Sequence, residues 1–402
     1  MAWGRVAASL LKKYGDRARV DVVNVINQFT QLAQDGRVGF LGNVRVGKDL
    51  SLEELRARYN AVVLCYGAES DRPLGVPGEN LTGVYSAREF VWWYNGHPHY
   101  AGLPIDLSKM RRVAICGLGN VAVDCARVLL QPADAIATTD IASHAVEQLR
   151  RSAVEEVHLV GRRGPVQAAF TPKELREVLG LDNVAVRMDA ATFALSAADE
   201  AELKATRMKK RVFDILFKQL KESKAGAKTL ALDFLRNPAE VIGDGQGQVK
   251  ALKLEKTRLE PPADGKGDQK AVGTGEFETI EVDLVLKSIG FKSVAVPGVH
   301  FDPCKGVIPN QGGQVLLEDG STPDAGLFVC GWLKRGPSGI IGTNLIDAEQ
   351  ASRGGLARAV HKEQQGACGS GTNLIDAEQA SGGGLARAVH KEQQGACGRA
   401  AW

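Results

Sequence analysis

Gly117-Leu118-Gly119-Asn120-Val121-Ala122 separates a short apolar run, Val113 to Cys116, from a stretch beginning at Val121 whose apolar residues recur at helical spacing. A strand, a glycine turn and a helix in that order suit a dinucleotide pyrophosphate. Gly117 permits a tight turn, and Gly119 lets the backbone approach the phosphates. Ala122 is small enough for the helix to pack close to the strand, and the free N–H groups at the helix start face the anion. The same six residues also make an ordinary structural turn. A second stretch sharpens the reading. Glu155 to Arg163 reads EEVHLVGRR, a buried strand (Val157 to Val160) running into Gly161-Arg162-Arg163-Gly164-Pro165. An acid at that strand end would take a ribose 2′-hydroxyl, whereas two guanidiniums suit a 2′-phosphate through bidentate, charge-assisted hydrogen bonds. The plain alternative is a solvated basic turn. In this context the arginines select NADPH over NADH. The interval from Gly119 to Arg162 exceeds the usual spacing of about 20 residues, so Gln131 to Ser152 reads as an insertion, a loop plus a helix over Ile141 to Arg151.

These residues need a scaffold, and the chain is long enough to supply one. Its 402 residues suggest two or three domains, and 44% apolar content supports real cores. The net charge of +3 excludes a molecule that is a polyanion or nucleic-acid binder as a whole, so any basic partner surface is local. The seven cysteines, Cys65, Cys116, Cys125, Cys304, Cys330, Cys368 and Cys397, show no C-x-x-C and no metal-type spacing. That pattern fits a reducing compartment and speaks against both a structural zinc and a redox dithiol. His97 and His99 flank Pro98 and read as loop histidines, leaving no metal site. No apolar run reaches membrane-spanning length.

Taken in order, the first twenty residues carry five basic residues and one acid, a bias that suits either a mitochondrial presequence remnant or an ordinary helix. Asp21 to Gln34 has helical spacing. Phe40 to Val46 and Ala61 to Tyr66 read as strands around a short helix, Leu52 to Tyr59, and Asp71 to Gly78 as a crossover. The aromatics of Ser86 to Gly96 read as a packed helix. Lys173 to Leu179 is a helix directly after the arginine loop, and Ala201 to Lys224 is one basic helix, plainly read as a solvated face. Leu230 to Glu281 reads as an antiparallel insertion with loops at Gly243 to Gly247 and Pro261 to Gly275. Val282 to Leu286 and Gly326 to Cys330 are strands. The second runs into a glycine-rich turn, Gly331 to Asn344, that suits a pyrophosphate or a flavin, with Asn344 or Thr343 capping a helix over Leu345 to Gln350. Gly342 to Gly369 and Gly371 to Gly398 are the same 28 residues but for Arg353 and Gly382. Two copies do not make a solenoid; one follows Ile341 and the other reads as an appended helix.

GLGNVAVDCARVLL, VGRRGPVQAAFTPKELREVLG, VLKSIGFKS, LFVCGWLKRGPSGIIGTNL, YGAESDRPLGVPGE and SAREFVWWYNGHP together resemble the adrenodoxin reductase family, the mitochondrial NADPH–ferredoxin reductases, in its plant or algal form. The similarity runs from about Val25 to Gln350. It implies an α/β fold of two Rossmann-like, glutathione-reductase-type dinucleotide-binding domains, FAD in one and NADPH in the other. Hydride passes to the flavin, and single electrons go on to an acidic [2Fe–2S] ferredoxin. By the same resemblance Leu118, Gly119, Asn120 and Val121 line the NADP pyrophosphate, Arg162 and Arg163 hold the 2′-phosphate, and Glu174 contacts the cofactor. Trp332, Gly339, Ile340 and Ile341 sit against FAD, with Gly339 also near the nicotinamide, and Val46 borders the FAD adenine. Arg207, Lys209, Lys210 and Arg211 meet the ferredoxin. The family further implies a monomer in the mitochondrial matrix, peripheral to the membrane if it touches one, with no acid–base residue because the cofactors carry the chemistry.

The family begins with its own strand, glycine fingerprint and helix for the FAD pyrophosphate. The residues before Val25 contain only Gly4 and Gly15 and supply no such motif. The expected organisation is a remnant of an FAD domain over 1–70, an NADPH domain with insertions over 71–300, a return to the FAD domain over 301–350 and a duplicated tail over 351–402. The NADPH domain then folds while the FAD site is incomplete, because a missing central strand exposes sheet edge and apolar faces. Two readings compete: a flavoprotein reductase, and a non-catalytic remnant that binds NADPH and ferredoxin without FAD. The lack of C-x-x-C and of iron–sulfur cysteine spacing argues against a thioredoxin reductase or a glutamate synthase small subunit.

Overall fold

The computed structural model of the chain describes residues 27, 29–222, 224–261, 268–339 and 341–352. The basic N-terminal stretch, Ile340 and the duplicated tail beyond Ser352 lie outside them. Contacts between Cα atoms group the chain into two units, Asp71–Gly290 with the segment ending at Gly39, and Phe40–Ser70 with the segment starting at Phe291.

The first unit is built on a six-stranded parallel sheet in the order Val84–Ser86, Leu284–Lys287, Arg112–Cys116, Glu156–Gly161, Lys228–Phe234 and Val184–Met188. Alternate residues of each strand point to opposite faces, and both faces are covered. Val113, Ile115, Val157, Leu159, Leu230, Leu232, Leu284 and Leu286 face the helices Asn120–Leu130, Pro172–Leu179 and Arg207–Lys221 in one core. Ala114, Cys116, Val160 and Val285 face the other way, onto Val241, Val249, Leu252 and Leu254 of an antiparallel sheet formed by Arg236–Gly243, Val249–Glu260 and Lys270–Glu281. A sheet buried on both sides explains why its strands read as continuous apolar runs.

The aromatic helix Ala87–Tyr94 is packed as expected, with Phe90 and Trp93 buried and Ser86 with Glu89 forming a capping box. His97 stacks on Trp92. The insertion between helix Asn120–Leu130 and strand Glu156–Gly161 holds two short helices, Ala133–Ile136 and Ser143–Arg150.

Several expectations are corrected. Ala201 to Lys224 is not one helix. Thr206 leaves helical geometry at φ −129°, ending Ala197–Ala205 and starting Arg207–Lys221. Lys228–Phe234 belongs to the parallel sheet, and the antiparallel insertion begins only at Arg236, after Leu235 has turned the chain with φ 56°. Phe40 to Val46 forms no strand: Asn43 takes a left-handed φ of 57°, and Val46 makes only an isolated bridge to Leu50.

The second unit has a four-stranded sheet in which Val62–Leu64 lies parallel to Pro323–Val329, followed by Gln314–Leu316 and Asn310–Gln311. Leu52, Leu64, Ile308, Val315, Leu327, Val329 and Leu333 form its core. Helix Leu52–Arg58 starts on a Ser51–Glu54 capping box, and Arg56 grips Asp324 with two bonds of 2.7 and 2.6 Å. The last described helix starts at Ile341 and runs to Ala351, so Thr343 and Asn344 lie within it rather than capping it.

Candidate functional site

The two loops singled out by sequence leave neighbouring strands at the same end of the sheet. Cys116 is in register with Val160, and the Gly117 amide donates to the Val160 carbonyl at 2.8 Å. Gly117 has φ 141°, and a Cβ there would lie 2.1 Å from the Ser288 carbonyl oxygen, so glycine is required for backbone packing. Gly119 differs. It has φ −116°, and a Cβ would meet nothing within 4 Å. Its bareness therefore serves open space beside the helix start, where a ligand's phosphates would lie. Helix Asn120–Leu130 follows with no side chain capping its first turn. Its first amides are left to a ligand or water, at the positive end of the helix dipole. Ala122 is fully buried against the sheet.

The Asn120 side chain has a structural task as well: its Oδ1 accepts from the Thr171 amide at 2.8 Å. That bond ties the glycine turn to the start of helix Pro172–Leu179, and the Ala169 amide adds a second tie by donating to the Leu118 carbonyl at 2.9 Å. Two polar atoms beside these ties, Thr171 Oγ1 and Glu174 Oε2, are buried with no hydrogen-bond partner. Buried polar atoms are normally satisfied, so both fit a ligand that supplies the missing partner. Thr171 was not singled out from sequence, where Thr171-Pro172 reads only as a helix start.

Arg162 is exposed and Arg163 half-buried at the end of Glu156–Gly161. The Arg162 carbonyl accepts from Thr257 Oγ1 at 2.7 Å, and the Arg163 carbonyl from the Leu235 amide at 3.1 Å, so strand Val249–Glu260 and the turn at Leu235 hold their backbones in place. Arg163 Nη1 pairs with Asp268 at 3.3 Å. Arg162 has no acid within ion-pair reach among the described residues.

The basic cluster splits. Arg207, Lys210 and Arg211 are exposed and surround a shallow hollow with Asp214. Lys209 turns away to meet Glu202 at 2.7 Å and Asp268 at 3.0 Å. Burial works against the Lys209 ammonium, but its bonds to Glu202 and Asp268 outweigh that and hold it above the usual lysine range. Asp268 is held below the usual carboxylate range, first by the hydrogen bond and charge of Lys209 and then by Arg163.

In the second unit Trp332 stacks on Phe291 with ring centres 5.4 Å apart and planes at 23°. Trp332 follows Gly331, which has φ 66°, and its short helix ends at Gly336 with φ 89°. Arg335 and Lys334 both pair with the buried Asp347, fixing the turn to the last helix. Gly339 is exposed with φ 83°, and Ile341 opens the last helix. Val46 is half-buried at its bridge to Leu50.

A parallel sheet with a glycine turn, a bare helix start and paired arginines at adjoining strand ends defines a dinucleotide-binding oxidoreductase fold. The chain is 51% identical over 339 residues to the mitochondrial NADPH:adrenodoxin oxidoreductase of Arabidopsis thaliana, covering 81% of this chain and 69% of that protein. It is 45% identical to the protein of that name from Salvelinus fontinalis, covering 83% and 67%, and 42% identical to the NADPH-ferredoxin reductase FprA of Mycobacterium tuberculosis, covering 82% and 70%. The solved structure of M. tuberculosis FprA in complex with NADPH superposes with a TM-score of 0.78 at 37% identity, over 91% of this chain and 84% of that one. No family model matches. The chain belongs to the NADPH:adrenodoxin oxidoreductase family.

Proposed function

We propose that the chain is an NADPH-dependent flavoprotein reductase that passes electrons through FAD to an acidic [2Fe–2S] ferredoxin of the adrenodoxin type. The observation that carries it is the pairing of the Gly117–Val121 turn with Arg162 and Arg163 at adjoining strand ends. In this reading the amides after Gly119 take the pyrophosphate, the two guanidiniums take the 2′-phosphate, and Thr171 and Glu174 acquire the partners they lack. Arg207, Lys210 and Arg211 steer the acidic partner. The relatives named as mitochondrial support a mitochondrial location, which we extend to the matrix, to a monomeric state and to at most peripheral contact with a membrane. Among the described residues no helix is long and apolar enough to cross one.

For FAD the second unit offers the Trp332–Phe291 stack, the Gly331 and Gly336 turns, and Gly67, whose φ of 71° and open surroundings leave room for a flat ligand. Those residues fit the ring end of a flavin. Bound there, FAD would supply the conversion of a two-electron hydride donor into single electrons. The chain's own part is to orient and shield the cofactors. A weaker hold on FAD is the second reading. It is favoured by Val62–Leu64, which pairs along one edge only among the described residues and exposes Val63, and by the exposed Phe40 and Leu41 earlier in the same unit.

Absorbance spectroscopy on the purified chain separates the two. Flavin bands that bleach on adding NADPH support the reductase, whereas a colourless protein that still binds NADPH supports the remnant. Failure to bind NADPH overturns both.

A further inference from the structure

Cysteines spread without pattern along the sequence become a pair in the fold. Cys65 follows strand Val62–Leu64 and Cys330 follows strand Pro323–Val329. The strands are in register at Leu64 and Val329, and the ladder continues through the Cys330 amide, which donates to the Leu64 carbonyl at 3.2 Å. The two cysteines are thus the next facing pair, with side chains on the same side of the sheet. Their sulfurs lie 3.1 Å apart, and no other side chain is interposed. Neighbouring strands are about 4.8 Å apart, inside the Cα separation that a disulfide tolerates. The other described cysteines differ: Cys116 and Cys125 are buried in the first unit, and Cys304 stands alone and exposed.

We infer that Cys65 and Cys330 form a dithiol that a small-molecule disulfide, such as glutathione disulfide, oxidises to an intramolecular disulfide. The thiolate of one cysteine attacks a glutathione sulfur, forming a mixed disulfide and expelling one glutathione. The second thiolate then attacks the protein sulfur of that mixed disulfide and expels the other glutathione. The two cysteines lose two electrons, the glutathione disulfide gains them, and the two thiol protons end on the two glutathiones. Although Cys65 is exposed as a residue, desolvation of its sulfur, reinforced by the neighbouring Cys330 sulfur, pushes the thiol up to about 12. The raised thiol keeps Cys65 mostly protonated, which slows its own attack on a disulfide. The cross-link would join the two strand ends directly before the turns at Gly67 and Gly331.

The test equilibrates the full chain in buffers of graded glutathione to glutathione disulfide ratio, quenches with acid and maps disulfides by peptide mass spectrometry. The expected result is one dominant cross-linked peptide joining Cys65 to Cys330. It should appear over a single two-electron transition, with a thermal midpoint higher in the oxidised chain. In Cys65→Ser the cross-link is replaced by a mixed disulfide of glutathione on Cys330. In the reduced wild-type chain, one phenylarsine oxide should bridge both sulfurs and block alkylation of each. Two independent mixed disulfides in the wild-type chain, or full alkylation of both cysteines in the presence of the arsenical, would overturn the assignment. These wild-type readouts hold whether or not the serine variant folds.

Discussion

Arg163 and Lys209 share one carboxylate. Asp268 accepts from Arg163 at 3.3 Å and from Lys209 at 3.0 Å, and so links the arginine proposed for the 2′-phosphate to the helix that carries the proposed docking face. A bound 2′-phosphate must compete with Asp268 for that guanidinium. Asp268 is 61% exposed, so solvent screens the contest and its worth is at most about 1 kcal/mol. Asp268→Asn is therefore expected to tighten NADPH by up to about fivefold and leave NADH unchanged, as read by fluorescence titration of both. Loosened NADPH would mean that Asp268 presents the arginine rather than occupying it. The pH dependence follows from the lowered Asp268 carboxyl. A depressed folded-state value stabilises above the unfolded value, about 3.9, and that contribution is lost as pH falls through the folded one. Comparing wild type with Asp268→Asn, the gap in thermal midpoint should be constant above about pH 5 and close below about pH 4.

The paired arginines are not equivalent. Arg162 has no acid within reach among the described residues, whereas Arg163 is partly satisfied by Asp268. A charge-assisted hydrogen bond is worth about 1.5–3 kcal/mol. Arg162→Ala should weaken NADPH by about tenfold to a hundredfold, and Arg163→Ala by less. Both should spare NADH. Equal losses for NADPH and NADH would remove the 2′-phosphate from the assignment.

How much of this was legible depends on whether the signal was local. The strand Arg112–Cys116, its glycine turn and its helix were readable because each constraint lies within a few residues. Lys228–Phe234 was not assignable to the parallel sheet, because its apolar run resembles the antiparallel strands after it and only Leu235's turn separates them. The break at Thr206 carries neither glycine nor proline, so the basic stretch read as one helix and its cations as one cluster. Helical phase then turns Lys209 inward to Glu202 while Lys210 and Arg211 face out. The contacts of Asp268 with Arg163, and of Cys65 with Cys330, join residues 105 and 265 positions apart. No pattern along the chain announces such pairs.

Gly117 and Gly119 separate folding from binding. A methyl group at Gly117 must displace the Ser288 carbonyl and hold a φ of 141°, so Gly117→Ala should cost about 3 kcal/mol or more and lower the thermal midpoint whether or not nucleotide is present. At Gly119 the methyl meets nothing and φ is −116°. Gly119→Ala should melt within a degree or two of wild type, within the about 0.5 kcal/mol expected of a substitution that touches nothing, yet bind NADPH poorly. A Gly119→Ala variant with unchanged NADPH affinity would place the pyrophosphate elsewhere.

The split in the basic cluster makes a last prediction. Arg207, Lys210 and Arg211 open onto solvent around one hollow, so their charge acts at long range on an approaching acidic partner. Reversing them together to Glu should slow ferredoxin reduction about tenfold or more at low ionic strength. The deficit should shrink as salt shortens the Debye length below about 10 Å, with NADPH affinity unchanged throughout. Lys209 is spent on Glu202 and Asp268 and is only 25% exposed. Lys209→Ala should therefore leave the salt dependence of reduction alone and instead lower stability by about 1 kcal/mol, since Glu202 loses its ion pair and keeps only the Gln269 amide among the described residues. Stopped-flow reduction across a salt series, with a melting curve for each variant, distinguishes the two behaviours. If Lys209→Ala altered the salt slope as much as the triple reversal, the inward-facing lysine would belong to the docking surface after all.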